Sequence, residues 1–401
     1  MSEALAERPA HVPEDRIVDF NFLNPPGAEK DVHLAWAELY KHSEIVWTPH
    51  NGGHWIATRA DVIEDIQKDF AHFSHAKGIS LPMGLKPVRY LPLESDPPEH
   101  AAYRQLLNPT FGPANIAALK EEARELSIGL IEGFRDRGEC EFIGDFAEHL
   151  PVTIFLRLVD LPLDDREKFL NWANEAVRFG THESRRATFQ KISAYLGEII
   201  KERREKPGDD LISKIATSEV AGGKMTQEEA LGMALVLFIG GLDTVVNMLA
   251  FFALFLARNP KHRKQLVDDP TLIPGATEEL IRCHGLSNTV RTLTSDYDYR
   301  GLHLKKGDVI QVPTSLGGLD ENRFDNPFEV DFLRQSQRHT TFGNGPHRCM
   351  GAPLGRAELF VFLEEWLKRI PDFEIKPGAT IRMRSGSVNS IESVPLVWSV
   401  N

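Results

Sequence analysis

The residues with the clearest chemical signature lie in the segment Phe342–Gly351, which reads Phe-Gly-Asn-Gly-Pro-His-Arg-Cys-Met-Gly. Its single thiol, Cys349, comes just before a helix that the sequence predicts to begin near Pro353. The start of a helix offers unbonded N–H groups and the positive end of the helix dipole, which lower the pKa of a thiol and stabilise its anion. The glycines permit backbone conformations closed to other residues and let a flat ligand come close. The segment therefore predicts a thiolate bound to iron.

A buried structural cysteine beside a glycine-rich turn is the alternative interpretation, because cysteine is among the most buried residue types. Three further segments, in a consistent order along the chain, favour iron ligation. With them, the cysteine segment resembles the haem-binding loop of the cytochrome P450 family of haem-thiolate monooxygenases. The resemblance implies that Cys349 is the axial ligand of haem b and that Phe342 and Gly343 belong to the haem-binding loop.

The first of these segments is the apolar run Ala230–Ala257. Its length would permit a membrane span, but an ionisable Asp243 at bilayer depth would be costly, so a long helix through a soluble core is predicted. Gly240 and Gly241 leave room for a planar cofactor, while Thr244 can bond to a carbonyl group one turn earlier and locally open the helix. A kinked packing helix is the alternative. The run resembles the family's oxygen-binding helix, which implies that Thr244 hydrogen-bonds dioxygen and that Asp243 relays protons.

The second segment is a helix that starts at a Pro-Pro pair and carries His100 and Arg104 four residues apart on one face. An arginine can hold a carboxylate through two parallel hydrogen bonds. The resemblance implies that His100 and Arg104 bind the haem propionates together with Arg291 and His347. For each of these residues taken singly, an ordinary surface role is the alternative.

The third segment contains Glu279 and Arg282, which lie three residues apart on a predicted helix and can pair. Any solvated helix offers such pairs. The resemblance implies the family's Glu-x-x-Arg element, a structural pair that braces the haem-loop side of the core. The family adds a basic third partner, and Glu329 stands where that partner is expected, so its identity is left open.

The composition and charge of the chain limit its class. It has 401 residues and a formal net charge of −12, and since no linker, charge block or repeat divides it, one domain over residues 1–401 is predicted. The negative charge argues against a nucleic acid partner. Three widely spaced cysteines favour a reducing cytoplasm over a disulfide framework. The first twenty residues lack the apolar core of a signal peptide or membrane anchor, so a soluble, cytoplasmic protein is expected. We also expect a monomer.

Apolar spacing predicts a mainly α fold with a small sheet. The predicted helices are Leu34–His42, Asp61–Lys68, Ala114–Gly133, Phe146–Val159, Asp165–Phe179, Arg185–Arg204, Thr226–Arg258, Lys261–Asp268, Gly275–Cys283 and Pro353–Ile370. The predicted strands are Ile45–Trp47, His54–Ala57, Val290–Leu293, Val309–Val312 and Val394–Trp398. The resemblance implies the cytochrome P450 fold, with haem between the oxygen-binding helix and the helix after the cysteine loop. It is closest to the bacterial camphor hydroxylase branch.

The irregular stretch Ser74–Glu94 is too long for a simple connector and is predicted to roof the substrate pocket, and Gly180–Glu183 resembles the turn of a mobile lid. Val88 aligns with the tyrosine that holds the ketone in the camphor enzyme, so camphor is a doubtful substrate. The pocket candidates are Val88, Leu85, Val236, Phe238, Gly240, Thr244, Ser287 and Val388. Their mostly apolar character favours a compact terpenoid or norisoprenoid, such as an ionone.

The resemblance implies a monooxygenase that hydroxylates a small hydrophobic substrate with O2 and two electrons from a [2Fe–2S] ferredoxin and its NADH-dependent reductase. Two alternatives stay open: a haem-thiolate peroxygenase or isomerase, and a haem protein that binds ligands without catalysis. The Asp243–Thr244 pair argues against the first. A local basic patch is predicted to dock an acidic ferredoxin, although Ser336 departs from the lysine of the camphor enzyme. The patch consists of Arg104, Arg338, Arg348 and Arg356.

Overall fold

The computed structural model describes residues 5–81, 88–173, 175, 182–220, 222–335 and 338–400. The chain divides into two compact units, each made of three segments. The first unit comprises Met1–Gly84, Pro274–Cys349 and Thr380–Ser393, and the second comprises Leu85–Ile273, Met350–Ala379 and Val394–Asn401. A single domain over residues 1–401 stays a prediction. Leu85, Ser336 and the start of the predicted lid turn lie outside the described residues.

Helices dominate the secondary structure, as predicted. The α-helices are α1 Val32–Ala37, α2 Ala60–Lys68, α3 Glu99–Leu107, α4 Pro113–Phe134, α5 His149–Leu158, α6 Arg166–Ala173, α7 His182–Glu205, α8 Leu211–Thr217, α9 Gln227–Arg258, α10 Pro260–Asp268, α11 Ile273–Cys283, α12 Thr314–Gly318 and α13 Ala352–Arg369. The strands are β1 Ile45–Thr48, β2 His54–Ala57, β3 Phe73–Ser74, β4 Glu139–Glu141, β5 Glu219–Val220, β6 Gly223–Lys224, β7 Asn288–Leu293, β8 Tyr297–Tyr299, β9 Leu302–Leu304, β10 Val309–Pro313, β11 Glu374–Ile375, β12 Met383–Arg384, β13 Ser390–Ile391 and β14 Pro395–Val397.

The first unit is built on a five-stranded sheet with the order β1-β2-β10-β7-β3. Strands β2 and β10 run parallel, and the other neighbouring pairs are antiparallel. Every residue of β1 and β2 is buried, as expected for strands covered on both faces. Against this sheet, α2 packs on α12 and on β10. The sheet thereby fixes β7, which carries Arg291, beside β3.

The Glu279–Arg282 pair lies at the centre of the first unit, and both side chains are wholly buried. Two nitrogens of Arg282 donate to the Glu279 carboxylate at 2.8 Å each. The third partner, which the sequence left open, is Arg334, whose Nε donates to Glu279 Oε1 at 3.0 Å. Glu329 lies in the same network but contributes its main-chain carbonyl, which accepts from Arg282 and Arg334. Burial alone would raise the pKa of Glu279, but these hydrogen bonds hold it below its usual value.

The second unit is built around α9, which packs against α5, α7, α8 and α13, while α4 lies along α13. The predicted start of α9 at Thr226 is confirmed within one residue by a capping box, in which Thr226 Oγ1 accepts from the Glu229 amide and the Glu229 carboxylate accepts from the Thr226 amide. By length and composition α9 could cross a membrane, yet 65% of its most apolar window is buried inside the protein. It packs here as a core helix.

Among the described residues, helices α8 and α12 were not predicted from the sequence, and the reason is similar for both. Helix α8 is short, and α12 contains Gly317 and Gly318, so neither shows a long apolar repeat. A Cβ on Gly317 would lie 1.8 Å from Thr340 Oγ1, and one on Gly318 would lie 1.9 Å from the Arg282 carbonyl oxygen. The glycines of α12 are therefore needed for close packing, which an apolar periodicity does not reveal.

We predict that Arg334→Met lowers the free energy of unfolding by about 1–3 kcal/mol, since Glu279 loses one charged donor but keeps the other. Arg282→Met should cost about 3–5 kcal/mol, because it leaves a buried carboxylate without its main partner. Urea unfolding measures both. The control is Arg384→Met, which removes an exposed pair with Glu392 and should cost less than about 1 kcal/mol. An Arg334→Met cost equal to that of the control would rule Arg334 out as the third partner.

Candidate functional site

The cysteine loop, residues 342–349, is a turn closed by its own main chain. The amide of Cys349 donates to the carbonyl oxygen of Phe342 at 2.8 Å. Gly343 and Gly345 have φ angles of 70° and 66°, a left-handed conformation that other residues adopt only under strain. The two glycines that precede the thiol are therefore required by the backbone path of the loop.

The loop is anchored against the end of α2. A Cβ on Gly345 would lie 2.8 Å from the Gln67 carbonyl oxygen and 2.9 Å from Lys68 Cα, so only glycine allows this approach. The preceding loop residue, Asn344, is tied to the same helix, because its Nδ2 donates to Gln67 Oε1 at 2.9 Å. The position of the loop thus depends on a backbone contact and a side-chain hydrogen bond within the first unit.

The three cysteines all lie within the described residues, and their surroundings show which of them can act as a metal ligand. Cys140 and Cys283 are each 6% exposed, whereas Cys349 is exposed. Burial raises the pKa of the Cys283 thiol to about 12 and also raises that of Cys140. These two thiols stay protonated at neutral pH, so Cys349 is the thiol placed to act as a thiolate. The predicted helix after it begins at Ala352, three residues on along the chain.

Two of the predicted propionate ligands belong to the first unit. Arg291 is buried on β7, and its NH1 donates to Thr289 Oγ1 at 3.1 Å and to the Val290 carbonyl oxygen at 2.9 Å. His347 lies in the cysteine loop two residues before the thiol, half-buried. The first unit therefore holds a thiol, a guanidinium and an imidazole that the sequence predicted for one haem.

The other two predicted propionate ligands, His100 and Arg104, lie together on α3 in the second unit. His100 is buried and Arg104 is half-buried. Burial and the positive charge of Arg104 lower the pKa of His100, while Asp96 opposes them. The structure thus confirms that the two basic side chains are neighbours. Their role toward propionates stays a prediction.

The centre of α9 carries the predicted proton-transfer residues. Thr244 Oγ1 donates to the Gly240 carbonyl oxygen at 2.9 Å, as predicted. The predicted local opening of the helix is not seen, since α9 is continuous from Gln227 to Arg258. The hydrogen bond from the Thr244 hydroxyl is therefore additional to the main-chain hydrogen bonds of the helix. Asp243 is buried, and Asn247 Nδ2 donates to its carbonyl and carboxylate oxygens at 2.8 and 3.0 Å. Sequence reasoning missed Asn247, although it lies four residues after Asp243 on the same face.

The face of α9 at Gly240 is open. Gly240 is exposed in the middle of a largely buried helix, and Thr244, one turn on, is half-buried. Among the described residues, a Cβ on Gly240 or Gly241 would meet no heavy atom within 4 Å beyond the helix backbone and the chain neighbours. The glycines thus leave the space beside Thr244 that a planar cofactor or a substrate requires.

The predicted roof segment meets α9 at Gly232, a residue that sequence reasoning missed. A Cβ on Gly232 would lie only 2.0 Å from the Arg89 carbonyl oxygen, so the two backbones touch. Val88 and Tyr90, on either side of Arg89, pack against the apolar core of the second unit. Arg89 is held by two hydrogen bonds to the Glu99 carboxylate and one to the Glu94 carbonyl oxygen.

The remaining pocket candidates have different surroundings. Val236, one turn after Gly232, is half-buried. Phe238 is 1% exposed and packs between Phe155 and Phe169, with ring centroids 5.8 and 5.6 Å away. This is the position of a core residue, so the structure does not favour the predicted contact between Phe238 and a substrate.

In the first unit, the structure brings together two candidates that are far apart in the sequence. Ser287 and Val388 form an isolated antiparallel bridge. Both are half-buried, and the flanking Asn288 fixes the bridge by donating to the side chain of Asn389 at 2.9 Å. Leu85 lies outside the described residues.

The donor set fits a haem. Among the described residues, no group of three or more His, Cys, Asp or Glu side chains is placed to hold a metal ion. An exposed thiol can ligate iron when a macrocycle supplies the other ligands, and the glycines of the cysteine loop admit such a flat group. Arginine and histidine side chains suit the carboxylates that haem carries.

The family is shown by comparison with known proteins. The family described as cytochrome P450 matches residues 168–388. A probable cytochrome P450 127A1 from Sinorhizobium fredii (strain NBRC 101917 / NGR234) is 32% identical over 98% of this chain and 97% of its own. The steroid C26-monooxygenase of Mycobacterium tuberculosis (strain ATCC 25618 / H37Rv) is 30% identical over 96% of this chain and 98% of its own.

Two solved structures are similar over nearly their whole length. The crystal structure of cytochrome P450 CYP101C1 has a TM-score of 0.91 and 39% identity over 98% of this chain and 100% of its own. That of CYP101J2 has a TM-score of 0.90 and 38% identity over 99% of this chain and 100% of its own. With the geometry of the cysteine loop, these likenesses show that the chain has the mainly α cytochrome P450 fold and belongs to the cytochrome P450 family of haem-thiolate oxidoreductases.

Proposed function

We propose that this protein hydroxylates a small hydrophobic molecule, of the compact terpenoid or norisoprenoid class, with O2 and two electrons from a [2Fe–2S] ferredoxin. The balanced reaction is RH + O2 + 2e⁻ + 2H⁺ → ROH + H2O. The observation that carries the proposal is the exposed thiol of Cys349, held in a turn whose glycines are fixed by positive φ angles and by contact with α2. The bound haem supplies the redox chemistry that inserts one oxygen atom of O2 into a C–H bond.

The protein's contribution begins with binding and polarising the haem. The Cys349 thiolate would ligate the haem iron and would supply the electron density that favours cleavage of the O–O bond. Arg291, His347, His100 and Arg104 would supply cationic and N–H partners for the propionates. Phe342 and Gly343 would contact the macrocycle at the start of the cysteine loop, and Gly240 and Gly241 would leave room for it on α9.

Asp243 and Thr244 carry the proton transfer. Asp243 is buried, and Asn247 Nδ2 donates to its carboxylate and to its main-chain carbonyl, so the carboxyl group is oriented to pass protons. Thr244 is half-buried, one turn after the exposed Gly240, and its hydroxyl oxygen can still accept a hydrogen bond while donating to the Gly240 carbonyl. Two protons per turnover are needed for a monooxygenase, so this pair favours it over a peroxygenase or an isomerase.

The proposed substrate class rests on the apolar character of the candidate pocket residues. Val88 and Tyr90 lie on the segment that touches α9 at Gly232, and Val236 lies one turn further along the helix. These walls are mostly apolar and offer few directed hydrogen bonds, which suits a compact hydrocarbon skeleton. Ser287 and Val388, joined by their bridge, are the proposed contacts from the first unit.

We further propose a soluble, cytoplasmic monomer that receives its electrons from an acidic ferredoxin. Four arginines are the proposed docking residues. Arg348 is exposed, Arg104 and Arg356 are half-buried, and Arg338 keeps 74% of its side chain exposed while it pairs with Glu64. Long-range attraction of this kind weakens as salt screens the charges.

Cys349→His should abolish the strongly red-shifted Soret band that thiolate ligation gives the reduced carbon monoxide complex, because an imidazole cannot donate the same charge. The absorption spectrum of the reduced, carbon monoxide-treated protein measures this. Cys140→Ala is the control and should keep the band, since that thiol is buried elsewhere. A red-shifted band in the Cys349→His protein would refute the assigned ligand.

Thr244→Ala should keep haem and substrate binding but divert electrons from hydroxylated product to hydrogen peroxide, because a methyl group cannot hold or pass on a proton. Asp243→Asn should instead slow turnover and keep more of the coupling. The ratio of product and peroxide to NADH consumed, with ferredoxin and its reductase present, measures both effects. Thr244→Ser retains the hydroxyl and serves as the control. Full coupling in Thr244→Ala would assign this hydroxyl to packing alone.

Gly232→Ala should weaken binding of an ionone by at least about tenfold, because the new Cβ would displace the Arg89 carbonyl and the segment that carries Val88. The affinity is read from the low-to-high spin change on titration. Gly129→Ala is the matched control, since among the described residues a Cβ there meets nothing within 4 Å. If Gly232→Ala binds the ionone as the wild type does, the segment does not shape the pocket.

A further inference from the structure

His75 lies against the cysteine loop in a contact that neither the sequence nor the proposed function explains. Its ring is stacked on that of His347, with centroids 3.6 Å apart and planes 7° from parallel. His75 is 3% exposed, so its ring is buried within the protein. Rotation of the His347 ring about its own side-chain bonds would break this face-to-face contact. The stack therefore fixes the plane of the imidazole next to the thiolate ligand.

His75 is itself held firmly by the sheet. It follows β3, in which Phe73 pairs with Leu293 and Ser74 with Thr292. After the strand, the Gly78 amide donates to the His75 carbonyl oxygen at 3.0 Å, which closes a turn. The ring of His75 is thus attached to a short strand and a turn and forms a rigid support.

The same strand pairing connects His75 to Arg291. Thr292, the partner of Ser74, directly follows Arg291 on β7. The sheet therefore sets Arg291, and the stack on His75 sets the His347 ring, within one unit. Two side chains that bind the carboxylates of a rigid macrocycle must keep a fixed separation. Here the paired strands β3 and β7 position both Arg291 and, through His75, the His347 ring.

We propose that His75 is a positioning residue for the haem: through its stack it holds the His347 imidazole in the orientation that binds a propionate. This inference rests on the proposed haem-binding role of His347. The contact surface of the ring carries the effect, and the charge or titration of His75 does not enter it. Aromatic contacts of this kind change an equilibrium by up to about tenfold.

The rate of haem transfer from the ferric protein to excess apomyoglobin tests the proposal without any measurement of turnover. His75→Ala should raise that rate by about tenfold, and His347→Ala should raise it at least as much. Because His75 acts through His347, the double variant should lose haem no faster than His347→Ala alone. Additive effects in this cycle would overturn the proposal.

A second variant separates stacking from hydrogen bonding. His75→Phe keeps an aromatic face against His347 but has no ring nitrogen, so it should release haem at nearly the wild-type rate. Rapid loss in a folded His75→Phe protein, equal to that in His75→Ala, would mean that a ring nitrogen of His75 acts directly and would overturn the stacking role. If His75→Phe does not fold, the double-mutant cycle decides alone.

His72→Ala is the matched control for a merely structural effect. His72 lies three residues earlier and stacks on Tyr297 with centroids 3.8 Å apart and planes 7° from parallel, so its loss weakens the same segment without touching the cysteine loop. Its haem transfer should stay within about twofold of the wild type, while urea unfolding of the haem-free His72→Ala and His75→Ala proteins should show similar destabilisation. Equal haem loss from both variants would overturn the proposal.

The proposal and the proposed function fail in distinguishable ways. If the wild-type protein lacks the red-shifted band of the carbon monoxide complex, the haem-thiolate assignment itself is wrong. If the band is present but His75→Ala releases haem at the wild-type rate, the function stands and the role of His75 is refuted.

Discussion

Glu279 is wholly buried, and an ionised carboxylate in such a position is tolerated only when it is surrounded by donors. Arg282 and Arg334 supply most of them and then extend outward to main-chain carbonyls at Asp325, Pro327 and Glu329. The segment that leads toward the cysteine loop is thus organised around one carboxylate. One residue before Arg282, the Ile281 carbonyl accepts from Thr341 Oγ1 at 3.0 Å, which ties the approach to the loop to the same helix. The position of the thiol depends on this network.

Backbone contacts at glycines are the second constraint. Gly345 lies on α2, Gly318 on the Arg282 carbonyl and Gly232 on the Arg89 carbonyl, and in each case a single Cβ would collide with main-chain atoms. Main-chain atoms cannot move aside as the end of a flexible side chain can. These contacts therefore fix the course of the chain more tightly than side-chain packing does, and they occur where the loop and the roof segment are positioned.

The sequence predicted what depends on local pattern. The long apolar repeat identified α9, and the Gly-Pro-Cys spacing identified the cysteine loop, because each carries its signal within a short stretch. Arg334 and His75 could not be found in this way, since their partners Glu279 and His347 lie far away along the chain and meet them only in the folded protein. Phe238, a predicted pocket residue, packs into the core, because apolar character alone does not distinguish a pocket wall from a core position.

The contact between Arg89 and Gly232 joins main chain to main chain, which has a consequence for how this protein can change. The contact itself does not involve the side chains of Val88 and Tyr90, which pack against the apolar core of the second unit. Substitutions at these two positions can therefore alter the shape of the proposed pocket without removing an atom of that contact. The glycine and the arginine clamp thus hold the segment in place, while the side chains at positions 88 and 90 shape the proposed pocket.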